Sequence, residues 1–108
     1  MRVLFDHNIP SGAARALVHH DVTEAIERGW HRISNGQLLA NAEEAGFDVF
    51  LTADKRIRYQ QNLKTRRIAI VVVGNPTWRI LRKHLDRVTA AVNVATPGSY
   101  TEVEIPFD

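Results

Sequence analysis

Three acids stand where an α/β chain places its chemistry. Asp6 closes RVLFD, Glu27 stands in ERGW and Asp54 closes FLTAD. Each follows a run of strand character, so three carboxylates fall just past three strand ends. In a parallel sheet those ends share one edge, where ligands collect. Carboxylates brought together raise one another's pKa unless a cation joins them. Mg²⁺ or Mn²⁺ is the usual partner, held by one or two carboxylates, water and substrate phosphate. A metal so held orients water for attack on a phosphodiester. Asp6 and Asp54 are the candidate metal ligands, and Glu27 the assisting acid.

Each acid also has a structural role open to it. Asp54 can cap a helix starting at Lys55, Asp6 or Asn8 can cap one starting at Pro10, and Glu27 can be a surface residue. Glu43 and Glu44, late in a helix, read as solvated. His19 and His20 are neighbours on a strand and point to opposite faces, so they cannot chelate together. His7, beside Asp6, is the one histidine placed for a site.

Charge is unevenly spread. Ten of the 14 Lys and Arg fall between Asp54 and Arg87, against two acids, so that window carries about +8 within a net charge of +2. Such a surface suits nucleic acid phosphate or an acidic partner protein, and equally a set of solvated helix faces. Inside it, Tyr59 can stack on a base or pack in a helix, and Gln60, Gln61 and Asn62 can bond base edges.

The elements that must position these residues alternate strand and helix. Val3 to Phe5 is a short apolar run of the kind buried on both faces. A short Ala-rich helix is expected over 10–18, and a weaker strand over 19–25. Ser34-Asn35-Gly36-Gln37 matches a capping box, and the helix it opens ends at Gly46. A buried strand over 48–52 delivers Asp54, followed by a helix over 55–63. The β-branched run over 68–73 is a further strand. Asn75-Pro76 then opens one helix with Trp78, Leu81, Leu85, Val88 and Val92 on its apolar face. Alternation over 100–105 predicts a half-exposed strand near a sheet edge. The expected fold is a single three-layer α/β/α domain spanning 1–108, with a mainly parallel sheet of four to five strands.

At 108 residues and 44% apolar, the chain has the makings of one ordinary core. No apolar run approaches the roughly 18 residues that span a bilayer, so no membrane partner is expected. Its first residues are too short an apolar stretch for a signal peptide, and it has no cysteine; the expected location is cytoplasmic. Neither a Walker motif nor GxGxxG is present.

LFDHNIP, ERGW, SNGQLLANAEEAGFDVFLTAD and the basic segment after them together resemble a PIN-like domain, over residues 2 to about 105. The likeness is to small stand-alone PIN-like proteins related to the VapC-type ribonuclease toxins of bacterial toxin–antitoxin pairs. It implies a three-layer α/β/α fold and hydrolysis of RNA with Mg²⁺ or Mn²⁺. It also implies a small antitoxin protein as partner, and homodimers. Asp6 and Asp54 match the family's acids, Glu27 an acid before a Gly, and Asn8 the Asn of its opening motif. Asn35 and Gln37 stand where Asp and Glu are common, and Arg56 where many members have a second Asp. Asn8 and Asn35 would orient water or a ligand. Arg56, Arg58, Tyr59, Gln60, Lys64, Arg66 and Arg67 would hold RNA. The reduced acid count opens an alternative: a catalytically degenerate PIN-like module that binds RNA or an acidic partner through its basic face.

Overall fold

Side chains alternate across a strand, so a strand buried on both faces divides its apolar residues into two sets. The computed structural model, which describes residues 1–60 and 63–107, makes that division in every central strand. Five strands build the sheet: β1 (Arg2–Phe5), β2 (Asp21–Glu24), β3 (Val49–Thr52), β4 (Ala69–Val73) and β5 (Tyr100–Val103). Their order is β2-β1-β3-β4-β5, and every neighbouring pair is parallel.

On one face Val3, Phe5, Val49, Leu51, Val71 and Val73 pack with Leu17, Leu81, Val88 and Val92. On the other, Leu4, Phe50, Ile70 and Val72 pack with Leu38, Leu39, Ala42 and Ile57. Helical segments cover both faces, as the three-layer α/β/α expectation requires. Each such Leu, Ile or Phe contributes about 1.5–3 kcal/mol by leaving water. No helix among the described residues is long and apolar enough to cross a membrane.

Helix α1 (Asn35–Glu44) starts as the sequence predicts, with Ser34 Oγ accepting from the Gln37 N–H at 3.3 Å. Only half of the capping box forms, because the Gln37 side chain donates to Asn41 Oδ1 instead. The chain leaves α1 through Gly46, whose φ of +85° needs a glycine. The expected helix over 55–63 is shorter, with α2 (Ile57–Gln60) and then a 3-10 turn at Leu63–Thr65.

Two other segments depart from expectation. The helix expected over 10–18 is a 3-10 stretch, Ser11–Ala16. It runs tight against Trp78, and a Cβ on Gly12 would sit 2.7 Å from that ring. The single helix expected after Pro76 is two, α3 (Trp78–Leu81) and α4 (Leu85–Asn93), separated where His84 adopts φ −129°. Its first cap is Thr77; Asn75 instead accepts from the Thr77 N–H at 3.0 Å, closing a turn. Trp78 is correspondingly exposed on one side, resting on Gly12 rather than continuing the core stripe.

Candidate functional site

The chain passes from β1 outward to β2 and returns to β3 on the other side of β1. Strand order therefore reverses between β1 and β3, and the crevice beyond their carboxyl ends is where doubly wound sheets bind ligands. Asp6 follows β1 and Asp54 follows β3. Both acids stand at that point.

Asp6 is 5% exposed and bound on all sides. Its N–H donates to the Leu51 carbonyl at 2.9 Å, extending the β1–β3 pairing by one residue. Its Oδ2 accepts from the Thr52 hydroxyl at 2.7 Å. Its Oδ1 accepts from the His7 N–H at 2.8 Å and lies 3.0 Å from His7 Nδ1. Thr52 is fully buried, and its Oγ1 in turn accepts from the Asp54 N–H at 3.1 Å. One hydroxyl thus joins the two acids' segments. Asn8 pins the same turn, its Oδ1 accepting from the Ala53 N–H at 3.1 Å.

Asp54 carries a resident cation. Its Oδ1 accepts from the N–H and Nε of Arg56 at 3.0 and 3.1 Å, and its Oδ2 from Arg56 Nη2 at 3.4 Å. Asn35, at the head of α1, donates its Nδ2 to Oδ2 at 3.4 Å. The Arg56 hydrogen bonds hold the Asp54 carboxyl below the usual carboxylate range, against a smaller opposing effect of burial. The Asp54 side chain is 18% exposed and that of Arg56 78%, so the guanidinium forms the outer surface of the pair.

Comparison of the chain with protein-family models, curated proteins and solved structures finds no match.

A hard divalent cation is held by carboxylate oxygens, each of which has a second lone pair beyond any hydrogen bond it accepts. Here all four oxygens of Asp6 and Asp54 already accept from protein donors, and a guanidinium occupies Asp54. Among the described residues, no three His, Asp or Glu group so as to hold a metal ion. On Asp54, a cation would have to displace the Arg56 guanidinium.

The predicted site residues divide accordingly. Asp6, Asn8, Asn35, Asp54 and Arg56 come together at the β1/β3 edge. Glu27 does not join them. It is exposed on the 3-10 turn Ala25–Arg28 after β2, where its Oε1 accepts from the Glu24 N–H at 3.3 Å and closes a capping box. Arg58 and Tyr59 lie on α2, with Tyr59 77% exposed and the Arg58 guanidinium 5.0 Å from its ring centre. Arg66 and Arg67 precede β4 and so mark the opposite, amino-terminal edge. Arg66 is committed to structure there, its Nη1 donating to Glu43 Oε1 at 2.9 Å. The Gln60 and Lys64 side chains, and Gln61 and Asn62, lie outside the described residues.

Glu43 is a correction. Far from being solvated, it ties α1 to the approach to β4, accepting from Arg66 and from the N–H groups of Arg67 and Ile68. Burial alone would raise its carboxyl, but those donors overcome it and hold the pKa below its ordinary value. Thr52 is the residue that sequence reasoning passed over. Its signal was a lone hydroxyl at the end of an otherwise apolar strand, two residues before an acid.

Proposed function

We propose that this protein is a PIN-like module that binds single-stranded RNA at the carboxyl edge of its sheet. The observation that carries the proposal is the Asp54–Arg56 pair at the β1/β3 reversal, which gives an acidic edge a cationic outer face. Arg56 meets a phosphate, the exposed Arg58 meets the next, and Tyr59 offers its ring to an unstacked base. Asp6, Thr52 and Asn8 hold the turn that presents Arg56.

Fluorescence anisotropy with a labelled RNA oligomer tests this at several salt concentrations. Two phosphate contacts predict log K falling with log salt at a slope of about −1.4. Arg56→Ala removes about 0.7 of that slope, and Tyr59→Ala weakens binding about 5- to 150-fold. Affinity that ignores both salt and Arg56 refutes the proposal.

A second reading, a metal-dependent ribonuclease of the toxin type with a small antitoxin as partner, draws support from one feature. Asp6 is a buried carboxylate at the ligand edge of the sheet, coupled through Thr52 to a second acid. It requires RNA cleavage that depends on Mg²⁺ or Mn²⁺ and disappears in Asp6→Asn and Asp54→Asn. RNA binding without cleavage under either metal leaves only the module.

A further inference from the structure

Beside the acids, the carboxyl ends of β4 and β5 enclose a cleft of about 780 Å³, within the roughly 300–1,000 Å³ range of ligand sites. Lys55, the neighbour of Asp54, lines it, so the cleft continues the candidate site along the same sheet edge. Gly74 lets the chain after β5 approach closely, since a Cβ there would lie 3.1 Å from the Val103 carbonyl oxygen. Around the cleft stand Lys55 and Arg87, the carboxylates Glu102 and Glu104, and the ring of Phe107, which is 84% exposed. Two cations, two carboxylates and an exposed aromatic ring together form a mixed lining. That combination suits a nucleotide, which carries an anion at one end and a flat base with N–H donors at the other.

Glu102 is the residue with a choice to make. Its Oε2 accepts from the Tyr100 hydroxyl at 2.8 Å and faces Arg58 Nη1 at 3.5 Å. Among the described residues these partners engage only Oε2. Burial, and then the neighbouring Glu102, raise the Tyr100 pKa to about 12. The phenol therefore stays a donor across the physiological range and keeps the carboxylate oriented.

We propose that this cleft is a nucleotide subsite selective for guanine, with Glu102 accepting from the base edge, Phe107 covering the base, and Lys55 and Arg87 receiving the phosphate. Guanine presents two adjacent donors, N1–H and N2–H₂, on its pairing edge. Adenine, cytosine and uracil each set an acceptor beside their donor, which a carboxylate repels. The inference rests on the RNA-binding proposal and adds to it the identity of one base.

The test titrates guanosine, adenosine, cytidine and uridine 5′-monophosphates separately into ¹⁵N-labelled protein. The expected result is shifts at the Gly74, Glu102 and Phe107 amides, with the guanine nucleotide binding about tenfold tighter than the others. Glu102→Gln, on an exposed position, erases that preference. Lys55→Ala weakens guanosine monophosphate and leaves guanosine itself unchanged. Equal affinities for the four nucleotides, no binding, or shifts away from the cleft would overturn the inference. RNA binding that depends on Arg56 and Arg58 but shows no base preference defeats this subsite alone. Loss of both defeats the RNA proposal as well.

Discussion

Replacing Thr52 by valine isolates the hydroxyl that joins the two acids. Valine keeps the shape of threonine, and Thr52 is fully buried, so packing changes little. Two bonds go: the donation to Asp6 Oδ2 at 2.7 Å and the acceptance from the Asp54 N–H at 3.1 Å. A hydrogen bond to a charged group contributes about 1.5–3 kcal/mol, and an orphaned N–H costs about 1 kcal/mol more. Thr52→Val should therefore lose about 3 kcal/mol. For a domain near this size that corresponds to a fall in Tm of about 12 °C or more. Thr52→Ser restores the hydroxyl and gives up only a methyl, at about 1 kcal/mol. Urea unfolding followed by circular dichroism reads both, with the slope m unchanged. In the double variant with Asp6→Asn, the losses should be non-additive by about 1 kcal/mol or more, because the two side chains share one bond. A Val variant within about 1 kcal/mol of the parent, or a Ser variant as unstable as Val, refutes the account.

Glu43→Ala strips a half-buried guanidinium and two backbone N–H groups of their acceptor, and should cost about 2 kcal/mol in the same urea assay. A loss no larger than that of an exposed Glu44→Ala control would contradict the tie between α1 and β4. Arg56→Ala changes the pH dependence of stability. The Asp54 carboxyl is depressed in the folded state, chiefly by Arg56, so its contribution is present above the usual carboxylate range. That contribution fades as pH falls through the folded value, so the gap between parent and variant should close in acid. Calorimetric titration should also find Mn²⁺ held more tightly by Arg56→Ala, whose Asp54 oxygens are uncovered; equal affinities would show that the guanidinium does not block the site.

The layout of the fold was legible because it rests on local chemistry. The apolar run Val3–Phe5 and the β-branched run over 68–73 suit strands covered on both faces, and Ser34 and Gly46 mark the two ends of α1 by capping rules that need no tertiary partner. Asp6 and Asp54 were legible for the same reason, since each closes such a run. Helix continuity after Pro76 was not. Its apolar spacing is that of one helix, and only the turn at His84 and the seat of Trp78 on Gly12 divide it.

Partners chosen across the sequence were equally hidden. Position 27 follows a strand end just as position 54 does, yet Glu27 spends its carboxylate on the Glu24 N–H three residues away, while Asp54 is met by Asn35 from a different layer. Whether Arg66 faces solvent depends on where Glu43 sits, 23 residues earlier. Residue order alone sets which positions are apolar at which period, and hence the layers, the strand ends and the acids beyond them. Packing settled which strands are neighbours, and therefore that Asp6 and Asp54 share one edge, that Asn35 meets Asp54 and that Glu43 meets Arg66. Periodicity is a local property of the chain, whereas a pairing such as that of Glu43 with Arg66 is set by distances between segments that only packing brings together.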